Sequence, residues 1–346
     1  MNERYQHYLQ LKQQQPKKYA RELAQLMNIS EAELAWARVG QDARRLKGDM
    51  PALLQALAAV GETKSITRNE YAVHELIGRY DNLRLGEHGG LVLNPRALDL
   101  RLFVSQWNCV FSLCEPGPRG ERQSLQIFDH QGDAVLKIYA TEHTDRAAWD
   151  QLVAGFASDG NPGLALKAAT PAQTAANRAV ADNRRIELDW RAMTDVHQFF
   201  PLLKRHAITR QQAFRAVGDD LALQVDNQSL SRILHASLAD ANELMVFVGN
   251  RGCVQIYTGI IEKVAPMEKW INIFNPRFTL HLVEEAIAES WVTRKPTRDG
   301  MVTSLELFAR DGTQIAQLFG QRSEGQPEQS AWRRQIDLLT QKGLPA

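Results

Sequence analysis

The sequence predicts an α+β fold built twice in tandem, each copy carrying N-terminal helices followed by a large antiparallel β-sheet. Three observations predict it. First, the chain repeats itself at a nearly constant offset. LVLNPRALDLRLF, from Leu91, returns as NIFNPRFTLHLV, from Asn272, 181 positions later, and Val73 of SITRNEYAVHEL meets Val254 of VFVGNRGCVQIY at the same 181. SLQIFDHQGDAVLKIY, from Ser124, returns as SLELFARDGTQIAQLF, from Ser304, at 180, and AAWDQLV, from Ala147, returns as SAWRRQI, from Ser330, at 183. An extra residue after the first NPR, Ala97, accounts for the shift between the two larger blocks. A period this long is domain duplication rather than a solenoid array. Second, helical periodicity precedes strand-like runs in each copy, the order expected of α+β units with antiparallel sheets. Third, 346 residues suffice for two separate cores.

The elements follow in order. Residues 4–60 read as helical: QHYLQLKQQQPKKYARELAQLM has apolar positions at helical spacing and a break follows at Asn28–Ser30. SEAELAWARV then opens from Ser30 as N-cap, and PALLQALAAV opens with Pro51 at a first-turn position. From Ile66 to Tyr139, β-branched and aromatic runs are cut by NPR, EPGPRGE and DHQGD turns, which reads as strands. DRAAWDQLVAGFA returns to helix. Ser158–Arg185 is rich in Ala, Asn, Pro and Gly and poor in large apolar residues, so it reads as a linker. The second copy is expected to run as helices from about Leu188 to Leu238, strands from about Glu243 to Phe319, and a last helix around Trp332. This places a first repeat at 1–160, a linker at 161–186 and a second repeat at 187–346.

Composition excludes several classes. Lys and Arg number 41 against 40 Asp and Glu, with nine His, so no general field favours nucleic acid or an anionic membrane. ARELAQLMNISEAEL has a helix-turn-helix rhythm, but no basic recognition helix accompanies it, and no specific nucleic-acid partner is expected. No apolar run reaches 18 residues and the start has no signal-peptide core, so the chain is not expected to be membrane-embedded or exported. Three cysteines, Cys109, Cys114 and Cys253, fit free thiols in a reducing compartment. Cys109 and Cys114 find no second Cys/His pair to complete a zinc site.

Four stretches carry a resemblance: WRAMTDVHQFFPLLKRHAITRQQAFRAVG, FVGNRGCVQIYTG, WVTRKPTRDG and GTQIAQLFGQRSEGQPEQ. With the duplication, they make the whole chain resemble the HemS/ChuS/HmuS family of cytoplasmic haemin-degrading or haemin transport proteins. The resemblance implies haem, as ligand or substrate, in a cleft between two packed halves. It implies a proximal histidine ligand on a helix of the second repeat and a distal arginine from the sheet of the first. Two functions follow from it. One is haem-oxygenase-like opening of the ring with release of iron, which requires an electron donor. The other is a carrier or store that protects against haem toxicity. An inner-membrane haem importer or a downstream haem acceptor would be a partner in either case.

By resemblance His197 is the metal ligand, within Thr194-Asp195-Val196-His197. Neutral imidazole is a common axial donor to haem iron. The aligned place in the first copy is about Tyr19, so the ligand belongs to one copy only. Pro201 fits a helix only if that helix begins near His197 or is kinked there. Arg101 is the distal group by resemblance. Strand alternation from Asp99 puts Leu100, Leu102 and Val104 on one face and Asp99, Arg101 and Phe103 on the other. Phe103 and Phe247 are the expected ring-flanking aromatics. Arg210, Lys295, Gln317 and Arg322 match the propionate neighbourhood, with Lys295 expected in a turn and Gln317 on a strand face shared with Ile315 and Phe319. Phe319 stands where the family has tyrosine, which removes one hydrogen bond to a propionate. His281 aligns with Arg101 and marks the equivalent surface of the other copy.

Overall fold

The computed structural model describes residues 3–340 apart from 88, 118–119, 169–181 and 324. The first copy runs α1 (Glu3–Gln14), α2 (Ala20–Leu26), α3 (Glu31–Ala37), β1 (Ala43–Arg45) and α4 (Met50–Ala56). Its strands follow: β2 (Gly61–Arg68), β3 (Ala72–Arg79), β4 (Leu83–Leu85), β5 (Gly90–Leu93), β6 (Asp99–Leu102), β7 (Trp107–Gly117), β8 (Gly120–Asp129) and β9 (Ala134–Thr144), closed by α5 (Arg146–Gly155). The second copy runs α6 (Asn183–Arg191), α7 (Phe199–His206), α8 (Arg210–Arg215), β10 (Ala222–Val225) and α9 (Ser229–Asp240). Then come β11 (Leu244–Gly249), β12 (Cys253–Gly259), β13 (Val264–Met267), β14 (Trp270–Phe274), β15 (Phe278–Val283), β16 (Ile287–Thr297), β17 (Gly300–Ala309), β18 (Gln314–Gly320) and α10 (Ser330–Thr340). The tandem α+β reading holds.

Local chemistry explains the helix starts. The Glu33 backbone N–H donates to Ser30 Oγ at 3.2 Å, and the Ser30 N–H donates to Glu33 Oε2 at 2.8 Å. This reciprocal box opens α3. Thr209 and Gln212 repeat it at the start of α8, with bonds of 3.2 and 2.9 Å. Pro51 lies in the first turn of α4, behind Asp49 as N-cap, where no helical N–H is lost. Two strands interrupt the regions read as helical. β1 and β10 are three and four residues long, too short to show a period. They pair with β7 (Ala43 with Leu113) and β16 (Ala222 with Thr293).

The chain folds as two compact units, Met1–Arg68 with Glu75–Thr170 and Gly249–Gln255, and Asn69–His74 with Pro171–Val248 and Ile256–Ala346. In the first, the strands run β1-β7-β8-β9-β2, and in the second β10-β16-β17-β18-β11. Each is an antiparallel meander with a short strand at its edge. Each unit therefore contains a short segment from the other repeat, fixed by an asparagine. In the first unit, Asn250 Nδ2 donates to the carbonyls of Arg68 and Val135, both at 2.9 Å. Its Oδ1 accepts from the Gly252 and Cys253 N–H groups, both at 2.9 Å. In the second, Asn69 does the same: Nδ2 donates to the Ile315 carbonyl at 2.9 Å, and Oδ1 accepts from the Tyr71 and Ala72 N–H groups at 2.9 Å. The two asparagines are 181 positions apart, the repeat offset.

Helices cover one face of each meander. In the second unit Ile186, Trp190, Phe199, Leu202 and Phe214 from α6–α8 bury against Trp291 and Phe308 of β16 and β17. Burial of each such side chain stabilises by roughly 1.5–3 kcal/mol. In the first unit Ala32 and Ala35 of α3 pack on Cys109, Phe111, Leu113 and Phe128. The middle of the 161–186 stretch lies outside the described residues. Residues before it are held to the first unit: Trp36 Nε1 donates to the Pro162 carbonyl at 2.9 Å, and the Lys167 N–H to that of His130 at 2.7 Å. Leu164 packs on the α3 cluster, and α6 opens at Asn183 from Asp182 as N-cap.

Candidate functional site

His197 sits in a single 3₁₀ turn, Val196–Gln198, immediately ahead of α7. Because α7 begins at Phe199, Pro201 falls in its first turn, as the first reading of Pro201 requires. Buried Phe199, Leu202 and Leu203 hold the helix down. The His197 side chain is 89 % exposed. Asp195 Oδ1 accepts two hydrogen bonds from this residue, from the backbone N–H at 2.8 Å and from ring Nδ1 at 2.7 Å. Those two bonds, with a contribution from the Arg322 charge, hold the Asp195 carboxyl below its usual range. A ring that donates through Nδ1 keeps its lone pair on Nε2. The segment is tied to the sheet by the Arg298 N–H, which donates to the Thr194 carbonyl at 3.0 Å.

His206 is far less accessible. Its Nε2 is 2.8 Å from Asp189 Oδ2 and its side chain is largely buried. Hydrogen bonds from His206 and Arg205 hold Asp189 below the ordinary carboxylate range. Tyr19, the first-copy counterpart of His197, is an exposed N-cap for α2.

The second structure of interest is a buried polar cluster on the helix-covered face of β16–β18. Its centre is Glu306, fully buried. Glu306 Oε1 accepts from Lys295 Nζ at 2.8 Å and from Ser304 Oγ at 3.1 Å; Oε2 accepts from Gln314 at 2.8 Å and Gln317 at 3.0 Å. Arg210 Nη1 lies 3.6 Å from Oε2, is itself buried, and has no hydrogen-bond partner among the described residues. Burial pushes the Glu306 carboxyl up, but the charges of Arg210 and Lys295 outweigh it and hold the group at about 2. Lys295 is lowered as well, but here burial wins over the neighbouring charges. Burial lowers it, and one carboxylate against the repulsion of Arg210 does not restore it. Two cations therefore face one anion. Lys295 and Arg210 also lie over the Phe199 ring, at 4.7 and 5.0 Å from its centroid.

Three of the four residues assigned to the propionate neighbourhood thus meet around Glu306. Arg322 is placed elsewhere, 3.8 Å from Asp299, with its charge acting on Asp195. Lys295 is not in a turn. It lies inside β16, opposite Val302, because the strand continues through Pro296 to the hairpin at Gly300. Gln317 and Phe319 share a face with Phe247, whose ring meets that of Phe319 at 5.1 Å. Ile315 is fully buried beside the register shift of the β17–β18 pair.

Arg101 and Phe103 belong to the first unit. Arg101 is on β6, 35 % exposed, in an ion pair with buried Asp99. Burial raises the Asp99 carboxyl, against the pull of Arg101. The expected alternation ends at Leu102. Phe103 leaves the strand as its N–H donates to the Gly252 carbonyl at 3.0 Å, and a 3₁₀ turn begins at Val104. Phe103 is therefore exposed beyond the end of the strand rather than sharing a strand face with Arg101. His281 lies on β15 with Nδ1 2.7 Å from Asn272 Oδ1.

A family model described as "Haemin-degrading HemS.ChuX domain" matches the chain twice, at residues 28–156 and 207–339. The chain belongs to this family. It is 62 % identical to the hemin transport protein HmuS of Yersinia pestis over 342 residues, 99 % of each chain. Among solved structures, it is similar to the heme degrading enzyme ChuS of Escherichia coli O157:H7, with 63 % identity, a TM-score of 0.92 and coverage of 97 % and 98 % of the two chains. Holo-PhuS, a heme-binding protein from Pseudomonas aeruginosa, is 39 % identical with a TM-score of 0.92, covering 97 % and 98 %. Two residues of this family member escaped the sequence reading. Glu306 sits in SLELF between two core leucines, where a strand glutamate reads as solvent-facing. Asp195 was detectable as a carboxylate two residues before a histidine.

Proposed function

We propose that this chain binds one haem through His197 and opens its ring, releasing iron. The observation that carries the reading is the exposed His197 ring, pinned at Nδ1 by Asp195 with Nε2 left as donor. That is the arrangement in which a histidine ligates a metal, the second nitrogen being held by a carboxylate. Other residues of the second unit fit the rest of a haem. Arg210 has a buried N–H group lacking a hydrogen-bond partner among the described residues, suited to a propionate, and the edge-to-face Phe247–Phe319 pair offers an apolar wall. Arg101 offers a permanently charged group with several donors for the distal side, and Phe103 an exposed aromatic; both rest on the family resemblance. When bound, the haem supplies the redox chemistry of ring opening, with electrons from a separate donor. The residues present would hold it, His197 binding the iron, Arg210 the carboxylates and Arg101 whatever binds on the other side.

Ring opening follows the relative named heme degrading enzyme, ChuS. Carriage is the second reading. It follows the hemin transport name of HmuS, and the near-complete exposure of His197 favours it, since an open ligand suits hand-over. The place of action is the cytoplasm, with the haem importer or a haem acceptor as partner. No helix among the described residues is long and apolar enough to cross a membrane.

Soret titration of the wild type should break at one haem per chain, and His197→Ala should lose the histidine-ligated spectrum. A break at two per chain, or an unchanged spectrum in the variant, overturns the site. Single-turnover spectra with a reductant, with and without catalase, separate ring opening from carriage. Arg101→Ala should slow ring opening more than it weakens binding.

A further inference from the structure

Asp195 does more in this structure than cap a turn. Its backbone is extended (φ −155°, ψ 136°), and one carboxylate oxygen receives both the N–H and the ring Nδ1 of the same residue, His197. A surface histidine otherwise rotates freely about its side-chain bonds and divides its proton between two nitrogens. Two bonds converging on a single oxygen remove both freedoms. They fix the ring's rotation, and they place the proton on Nδ1, because a carboxylate can only accept. The carboxylate also shares charge with the ring, which strengthens Nε2 as a donor. Arg322 lies on the other side of this balance. Its charge acts on Asp195, and it is itself engaged by Asp299 at 3.8 Å.

We infer that Asp195 is the positioning residue of His197, setting both the direction and the donor strength of the axial nitrogen. This rests on His197 being the axial ligand.

Two variants separate orientation from charge. Asp195→Ala removes both; Asp195→Asn keeps an acceptor oxygen and removes the charge. Asp195 is exposed and outside the core, so both should fold. In the haem-free protein, nitrogen-15 NMR should show His197 as the Nδ1–H form in the wild type and a shift toward the Nε2–H form in Asp195→Ala. Haem affinity should fall about 10- to 100-fold in Asp195→Ala and recover largely in Asp195→Asn. The iron midpoint potential should nevertheless rise in Asp195→Asn, and the iron–imidazole stretch should move to lower frequency. Unchanged tautomer, affinity and potential in Asp195→Ala overturn the inference. An unchanged haem spectrum in His197→Ala would instead overturn the axial assignment, and the haem-free NMR comparison tells the two failures apart.

Discussion

Removing Glu306 tests how the second unit is held together. Glu306→Ala strips the carboxylate from a fully buried site and leaves Lys295, Ser304, Gln314 and Gln317 without the acceptor they share. Breaking a buried pair by deleting one partner costs about 3–5 kcal/mol. In a unit of this size each kcal/mol moves the midpoint by about 2–4 °C, so thermal unfolding should drop by about 6–20 °C. Lys295 is already lowered by burial and can shed its proton, which favours the smaller end of that range. Replacing both partners, Lys295→Met with Glu306→Leu, should cost less than Glu306→Ala alone, since no charge is left unpaired. The pH dependence has a definite sign. The folded value of about 2 lies below the ordinary 4.5, so the stabilisation is complete above about pH 4.5 and is lost as pH falls toward 2. Scans of the second unit's transition from pH 7 to pH 3 should show wild type and Glu306→Ala converging. A drop under about 2 °C at pH 7, or a gap that stays constant down to pH 3, refutes the reasoning.

Other outcomes are open to direct check. Gly320→Ala would place its methyl 2.5 Å from the fully buried Trp332 ring; it should destabilise by about 1–3 kcal/mol, measured by denaturant midpoint. Burial pushes the Cys253 thiol up to about 12 and Cys109 up to about 11. Alkylation of the native protein at pH 8, followed by peptide mass spectrometry, should label half-buried Cys114 first and the other two only on unfolding. Phe319→Tyr should tighten haem binding by about 0.5–1.5 kcal/mol through one added hydrogen bond, read by competitive titration.

The repeat, the order of helices and strands, and the Ser30 N-cap were legible because each rests on a pattern carried by the sequence itself. Ser30 opens its helix within one turn, and the period of apolar positions needs no knowledge of partners; the Thr209–Gln212 box went unread. β1 and β10 were not legible because strands of three or four residues are made by their neighbours. Lys295 misled because the following proline suggests a turn. Pro296 is accommodated near the hairpin end opposite Met301, as Pro116 is opposite Glu121 in the first copy. Glu306 was hidden for a different reason. Period two assigns it to the face opposite Leu305 and Leu307, but nothing local says that α6–α8 close over that face. Three assigned residues therefore came out as neighbours of an unassigned one.

The exchange of short segments between repeats has a consequence for synthesis. The first unit's last contiguous residue is Thr170, yet it needs Gly249–Gln255 before Asn250 can bond to Arg68 and Val135. At about 5–20 residues per second, the ribosome takes roughly 4–17 s to add those intervening residues. During that interval the nascent first unit lacks part of its structure. An N-terminal domain usually closes while the rest of the chain is being made; here the first half must wait until nearly half of the second has been translated.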